Sequence, residues 1–128
     1  MTAVPDDRFF TADHEWVRDP EGPKARVGVT EFAAQALGDV VFLSLPAVGD
    51  DVAAGAECGE IESTKSVSPL FAPVSGEVVA VNQAVLDAPE LVNADPFGEG
   101  WLFEVAPTAI GDLLDAAAYA PLTEQAAG

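Results

Sequence analysis

The chain has 128 residues, 49% of them apolar and 21% charged, so a single globular domain over 1–128 is expected and a disordered acidic tail is excluded. Its 22 acidic and 5 basic residues give a formal charge of −17, which repels phosphate backbones and anionic headgroups and argues against nucleic acid or membrane partners. The first residues, Met1-Thr2-Ala3-Val4-Pro5-Asp6-Asp7, hold neither a basic segment nor an apolar run. No signal peptide or spanning helix is therefore expected, and the site of action reads as cytoplasmic.

In chain order, short segments rich in Val, Phe and Ile alternate with turn signals. Strands are expected from Phe9 to Val17 and from Ala25 to Val29. A helix then opens at Thr30, whose hydroxyl can cap free N–H groups, with Glu31 beside the positive dipole end and Gly38 closing it. Phe32, Ala33, Ala36 and Leu37 form its apolar stripe, which reads as core packing. Further strands follow from Val40 to Leu45, Cys58 to Glu62, Val67 to Phe71, Gly76 to Asn82 and Trp101 to Val105. A second, peripheral helix from Ala109 to Tyr119 groups Leu113, Leu114, Ala117 and Ala118. The ends, about 1–7 and 121–128, read as short and flexible. Strands without long intervening helices make the fold mainly β, an antiparallel sandwich or small barrel.

A weak internal repeat frames the middle of the chain. Pro46-Ala47-Val48-Gly49-Asp50-Asp51-Val52-Ala53 matches Pro73-Val74-Ser75-Gly76-Glu77-Val78-Val79-Ala80 at Pro, Gly, Val and Ala, with an acid after each Gly. Two such copies related by a pseudo-two-fold put the segment between them at a hairpin on one edge. Common turn residues also produce such matches by chance.

Within that segment a strand, the polar turn Ser63-Thr64-Lys65-Ser66 and another strand follow one another, so Lys65 is expected to project into water. A lysine in a polar hairpin is ordinarily a plain solvated residue. An enzyme that acylates an amine, however, needs it exposed at the tip of a rigid protrusion, and the other lysine, Lys24, merely precedes a strand. Glu60 and Glu62 share one face of the incoming strand, either for reading by such an enzyme or as a solvated strand face. Cys58 stands alone, so no intrachain disulfide can form. No Cys or His spacing suggests a metal site, and His14 has no nucleophile or acid placed with it by spacing. No catalytic residue is expected.

The ordered set His14-Glu15-Trp16, Val27-Gly28-Val29-Thr30, Leu37-Gly38-Asp39-Val40-Val41-Phe42, Leu45-Pro46, Gly59-Glu60-Ile61-Glu62-Ser63-Thr64-Lys65-Ser66, Ala72-Pro73-Val74-Ser75-Gly76, Leu91-Val92-Asn93, Asp95-Pro96-Phe97-Gly98 and Gly100-Trp101 resembles the H-protein family of the glycine cleavage system. The resemblance runs from about Phe10 through Tyr119. It implies a lipoyl carrier domain folded as a flattened antiparallel barrel-sandwich hybrid, with lipoate joined by an amide to Lys65. Glu60, Glu62, Ser63, Thr64 and Ser66 then supply the context for a lipoate ligase or a lipoyl/octanoyl transferase.

The same resemblance implies three partner enzymes. A pyridoxal-phosphate decarboxylase, the P protein, loads the aminomethyl group of glycine onto the arm. The tetrahydrofolate-dependent T protein removes the carbon, and the flavin dehydrogenase, the L protein, reoxidises the dithiol. Glu15 is implied to lie near the parked, loaded arm, where a carboxylate can pair with the protonated amine of the adduct. Trp16 reads as core or cleft wall. Three features depart from the family pattern: Pro69 stands where an acid is usual, Ala36 where some relatives carry a polar or histidine side chain, and the segment from Ala106 to Asp112 is shorter. Lipoyl relay to 2-oxoacid dehydrogenases and an unmodified β-barrel interaction module remain alternatives. A biotinyl carrier is disfavoured because Thr64 and Ser66, not methionines, flank Lys65.

Overall fold

The computed structural model describes residues 7–127, and the side chains of 7–122. The end expected at 1–7 lies, apart from Asp7, outside the described residues. Among those residues, six strands form one antiparallel sheet in the order β1 (Phe9–Phe10), β2 (Glu15–Arg18), β3 (Ala25–Val29), β9 (Phe103–Ile110), β8 (Val74–Val81) and β5 (Asp51–Val52). A second sheet joins β4 (Val40–Ser44), β6 (Glu57–Ser63) and β7 (Val67–Phe71). The mainly β expectation holds, and the two sheets do not close into a barrel. Four helices complete the described fold: α1 (Glu31–Leu37), α2 (Gln83–Asp87), α3 (Leu91–Ala94) and α4 (Ala116–Ala127). None of them is long and apolar enough to cross a membrane.

Alternation along the strands builds the main core between the sheets. Val17, Val27, Val78, Phe103 and Val105 from the larger sheet meet Leu43, Ile61 and Leu70 from the smaller one, and Ala34 and Leu37 of α1 close one side. Each large side chain removed from water there contributes about 1.5–3 kcal/mol. A second cluster of Phe10, Trp16 and Tyr119 pins α4 to the rest of the fold. The Trp16 indole lies over Gly28, where an added Cβ would come within 2.5 Å of the ring, and its Nε1 donates to the Pro96 carbonyl at 2.9 Å. Trp16 is thus a core residue and not part of the cleft described below.

The two half-repeats meet. Asp51 and Val52 of the first copy pair antiparallel with Glu77 and Gly76 of the second, and Gly49 N–H donates to the Val78 carbonyl at 2.8 Å. The copies are therefore neighbours around a local two-fold, with the Lys65 hairpin between them in sequence.

Several expected elements differ. The strand expected from Phe9 to Val17 is a hairpin in which Phe10 pairs with Trp16. It is broken by a turn at 11–14 where Thr11 Oγ1 accepts the N–H groups of Asp13 and Glu15, and His14 adopts a left-handed φ of 65°. The helix expected from Ala109 does not start there, because Ala109 and Ile110 still pair with Ser75 and Val74 of β8. It begins after Asp115, whose Oδ1 caps Ala118 N–H at 2.8 Å, as a short acid at an N-cap does. Helices α2 and α3 fall in a segment where no helix was expected. They are only one turn or so long, too short for a periodic signal, although Asn82 caps α2 by accepting Ala84 N–H.

Candidate functional site: the β6–β7 hairpin and its cleft

The turn at 63–66 is knitted by one side chain. Ser63 is 7% exposed, and its Oγ accepts the N–H groups of Lys65 and Ser66, each at 3.2 Å, while donating to the Ser66 carbonyl. Backbone bonds from Ser63 N–H to the Ser66 carbonyl at 2.8 Å and from Thr64 N–H to the Asp39 carbonyl at 3.0 Å fix the turn to the loop after α1. Thr64, Lys65 and Ser66 are exposed. The hairpin thus offers the lysine in water on a backbone with little freedom to move.

Lys65 does not extend away from the protein. Its aliphatic stem runs over Gly38, where an added Cβ would come within 3.2 Å of Lys65 Cε. Gly38 takes a φ of 80° at the end of α1, a backbone region that disfavours side chains. Asn93 braces this point. Its Nδ2 donates to the Gly38 carbonyl at 2.8 Å and the Ala34 carbonyl at 3.3 Å, and its Oδ1 accepts Val40 N–H at 2.9 Å. In the sequence Asn93 stood out only as part of the Leu91-Val92-Asn93 motif; its bonds to residues more than 50 positions away leave no local pattern.

Beside the hairpin lies a cleft of about 230 Å³ between α1, the turn before β2 and strands β6 and β7. Its apolar walls include Phe32, Leu37, Ile61 and Leu70, and its polar groups are His14, Glu15, Ser66 and Ser68. Ala36 and Pro69, two of the three departures from the family pattern, both line it, so the wall is more apolar there. Phe32, read from the sequence as core packing, is half-buried and lines the cleft, and Ser68 had no signal of its own.

Glu15 is 2% exposed. Oε2 accepts Phe71 N–H at 2.8 Å and Oε1 faces the Thr11 hydroxyl at 3.4 Å. Burial pushes its carboxyl up to about 8 against the pull of these bonds, since a desolvated carboxylate is costly. It also lines a second cavity of about 350 Å³ with Thr11, Asp13, Phe71 and Asp112. Strand alternation alone would put His14 on the face opposite Glu15, but His14 belongs to the turn and lines the same cleft.

Glu60 and Glu62 are exposed on the outer face of the three-stranded sheet. Glu62 pairs across the strands with Phe42 and Val67, which are 58% and 55% exposed. Cys58 packs against the main core, and burial together with the nearby Glu15 and Glu57 charges pushes its thiol up to about 12. That is an unreactive state. Among the described residues no His, Cys, Asp and Glu groups gather as a metal site.

An arm with an apolar chain and a polar end suits this arrangement: an exposed amine at its root, an apolar wall beside it and a carboxyl in that wall. The model of the family described as "Glycine cleavage H-protein" matches residues 8–126. The chain is 63% identical over 121 residues to the glycine cleavage system H protein of Beutenbergia cavernae, covering 94% of this chain and 97% of that one. It is 55% identical to that of Corynebacterium jeikeium, covering 97% and 100%. The crystal structure of a glycine cleavage system H protein from Mycobacterium marinum superposes with a TM-score of 0.88 at 48% identity, over 98% of this chain and all of that one. The chain therefore belongs to the glycine cleavage H-protein family, the non-catalytic proteins that carry covalently bound lipoate on a lysine and shuttle the aminomethyl group of glycine within that system.

Proposed function

We propose that Lys65 is the lysine that carries the lipoyl group, and that the cleft lined by His14 and Glu15 is where the loaded arm rests. The observation that carries this reading is the exposed Lys65 at the Ser63-locked turn, with its stem over Gly38 at the edge of that cleft. When bound, the lipoyl group supplies the dithiol and disulfide chemistry and the flexible tether. Acylation of Lys65 removes its ammonium charge, so the stem passes along the apolar wall at lower desolvation cost. A rigid turn at the root turns encounters with separate active sites into local searches at high effective concentration.

Glu15 is suited to hold the protonated amine of the loaded arm. Its carboxyl is neutral much of the time near pH 7 and has a strong reason to ionise beside a cation. That pairing slows loss of the methylene group and protects the cargo between enzymes.

Membership of the system implies the P, T and L proteins as partners. A lipoate ligase or lipoyl/octanoyl transferase is proposed in addition, reading Glu60 and Glu62 beside the turn made by Ser63, Thr64 and Ser66. The reading takes the whole chain as one carrier domain. It assigns the cytoplasm as the site of action, where a lone cysteine stays reduced. The test is glycine-dependent methylamine loading by a P protein of lipoylated carrier. Wild type is expected to load and Lys65→Arg to give none; loading of the arginine variant would move the attachment elsewhere.

A further inference from the structure

Three side chains from separate parts of the chain meet behind the cleft. Tyr119 of α4 brings its Oη to 2.7 Å from His14 Nδ1 and 2.8 Å from Thr30 Oγ1. Its ring stacks on Phe10 with centroids 4.7 Å apart, and both Tyr119 and Thr30 are only 1% exposed.

The direction of these bonds follows from counting hydrogens. Thr30 Oγ1 accepts Ala33 N–H as the cap of α1, and because Thr30 is buried its own hydrogen also needs an acceptor, which Tyr119 Oη supplies among the described residues. Tyr119 has one hydrogen, which then goes to His14 Nδ1. In the opposite order the Thr30 hydrogen would be buried without an acceptor, at a cost of about 1–3 kcal/mol. A ring proton on Nδ1, whether in the other neutral tautomer or in the cation, leaves either the Thr30 or the Tyr119 hydrogen without an acceptor among these three groups. Nδ1 is therefore the bare nitrogen, and Nε2 carries the hydrogen.

His14 lines the cleft, with its ring 4.5 Å from that of Phe32. We propose that Tyr119 is a positioning residue: docking of the C-terminal helix locks His14 as the neutral Nε2–H tautomer, so the cleft receives an uncharged N–H donor next to Glu15. A neutral ring leaves the amine of a loaded arm facing one carboxylate with no competing cation. Burial of His14 acts in the same direction, and the neighbouring Asp13 charge acts against it. The purpose assigned to the tautomer rests on the proposed resting place of the arm, but the tautomer itself does not.

The chain has one histidine, so a long-range proton–nitrogen correlation spectrum of the unmodified, ¹⁵N-labelled protein contains one imidazole. At neutral pH a pyridine-type Nδ1 and a pyrrole-type Nε2 are expected. Tyr119→Phe, which keeps the stacked ring, is expected to move both nitrogens toward the average of two exchanging tautomers. Thr30→Ser, which keeps the hydroxyl, should keep the wild-type pattern. A protonated Nδ1 in the wild type overturns the proposal without any variant, as does an unchanged spectrum in folded Tyr119→Phe. Because the arm is absent from this measurement, its outcome is independent of whether Lys65 is lipoylated.

Discussion

Glu15 reaches from the six-stranded sheet to the hairpin sheet, where its Oε2 accepts the backbone N–H of Phe71 at 2.8 Å. One buried carboxyl thus ties the strand behind the cleft to the strand that leaves the Lys65 turn. It has a structural duty as well as the electrostatic one proposed for it.

Replacing Glu15 separates the two duties. Glu15→Gln can keep the bond from Phe71 but loses the charge, whereas Glu15→Ala loses both. A charge-assisted hydrogen bond is worth about 1.5–3 kcal/mol, so the methylamine-loaded carrier should decay roughly ten to a hundred times faster in either variant. Only the alanine variant should also lose about 1–3 kcal/mol of folding stability, through the orphaned Phe71 N–H. Decay is followed by the ammonia released from loaded carrier in the absence of partner enzymes.

The same carboxyl makes a signed contribution to stability with pH. Its folded value is raised to about 8 from an ordinary 4.5, so between these values the folded state holds a proton that the unfolded state has released. The contribution falls as pH rises through that window and is constant outside it. Urea unfolding at pH 5 and at pH 8.5 should therefore show a difference attributable to Glu15. That difference is wild type minus Glu15→Gln, and it should favour wild type at the lower pH.

Docking of the lipoylating enzyme gives a third outcome. Glu62 lies between exposed Phe42 and Val67, and Glu60 between Ser44 and Pro69. A Glu60→Lys, Glu62→Lys variant should fold normally, since both side chains are exposed. Its lipoylation by a lipoate ligase should slow by at least tenfold, with the larger effect at low salt. A wild-type rate would return both glutamates to the role of a solvated strand face.

Gly28→Ala tests the packing behind the site. The added methyl meets the Trp16 indole, itself fully buried and tied to Pro96, so about 1–3 kcal/mol should be lost. Gly49→Ala, with open space at its Cβ, should cost less and only through its φ of 96°. Denaturant midpoints for the two variants check the order.

Much of this was legible in the chain because it rests on local signals. The helix cap at Thr30, the alternation of Glu60, Ile61, Glu62 and Ser63, and the turn around Lys65 each follow from residues a few positions apart. The half-repeats foretold a hairpin between them, but not that the copies pair with each other. What the sequence did not show depends on distant contacts. The β1–β2 hairpin required His14 in a left-handed turn, the last helix was shifted because Ile110 still belonged to a ladder, and Asn93 and Tyr119 act through bonds to segments far along the chain. Nor did composition reveal that Glu15 is buried, since an isolated acid in a strand is ordinarily read as solvated.

The central claim is that Lys65 anchors the arm, and the chain offers two lysines to decide it. Protein coproduced with a lipoate ligase and lipoate is weighed intact and then mapped by peptide mass spectrometry. One lipoyl increment on the peptide holding Lys65 is predicted, with none in Lys65→Arg. An unmodified Lys65 under these conditions, or an increment on Lys24, would contradict the account.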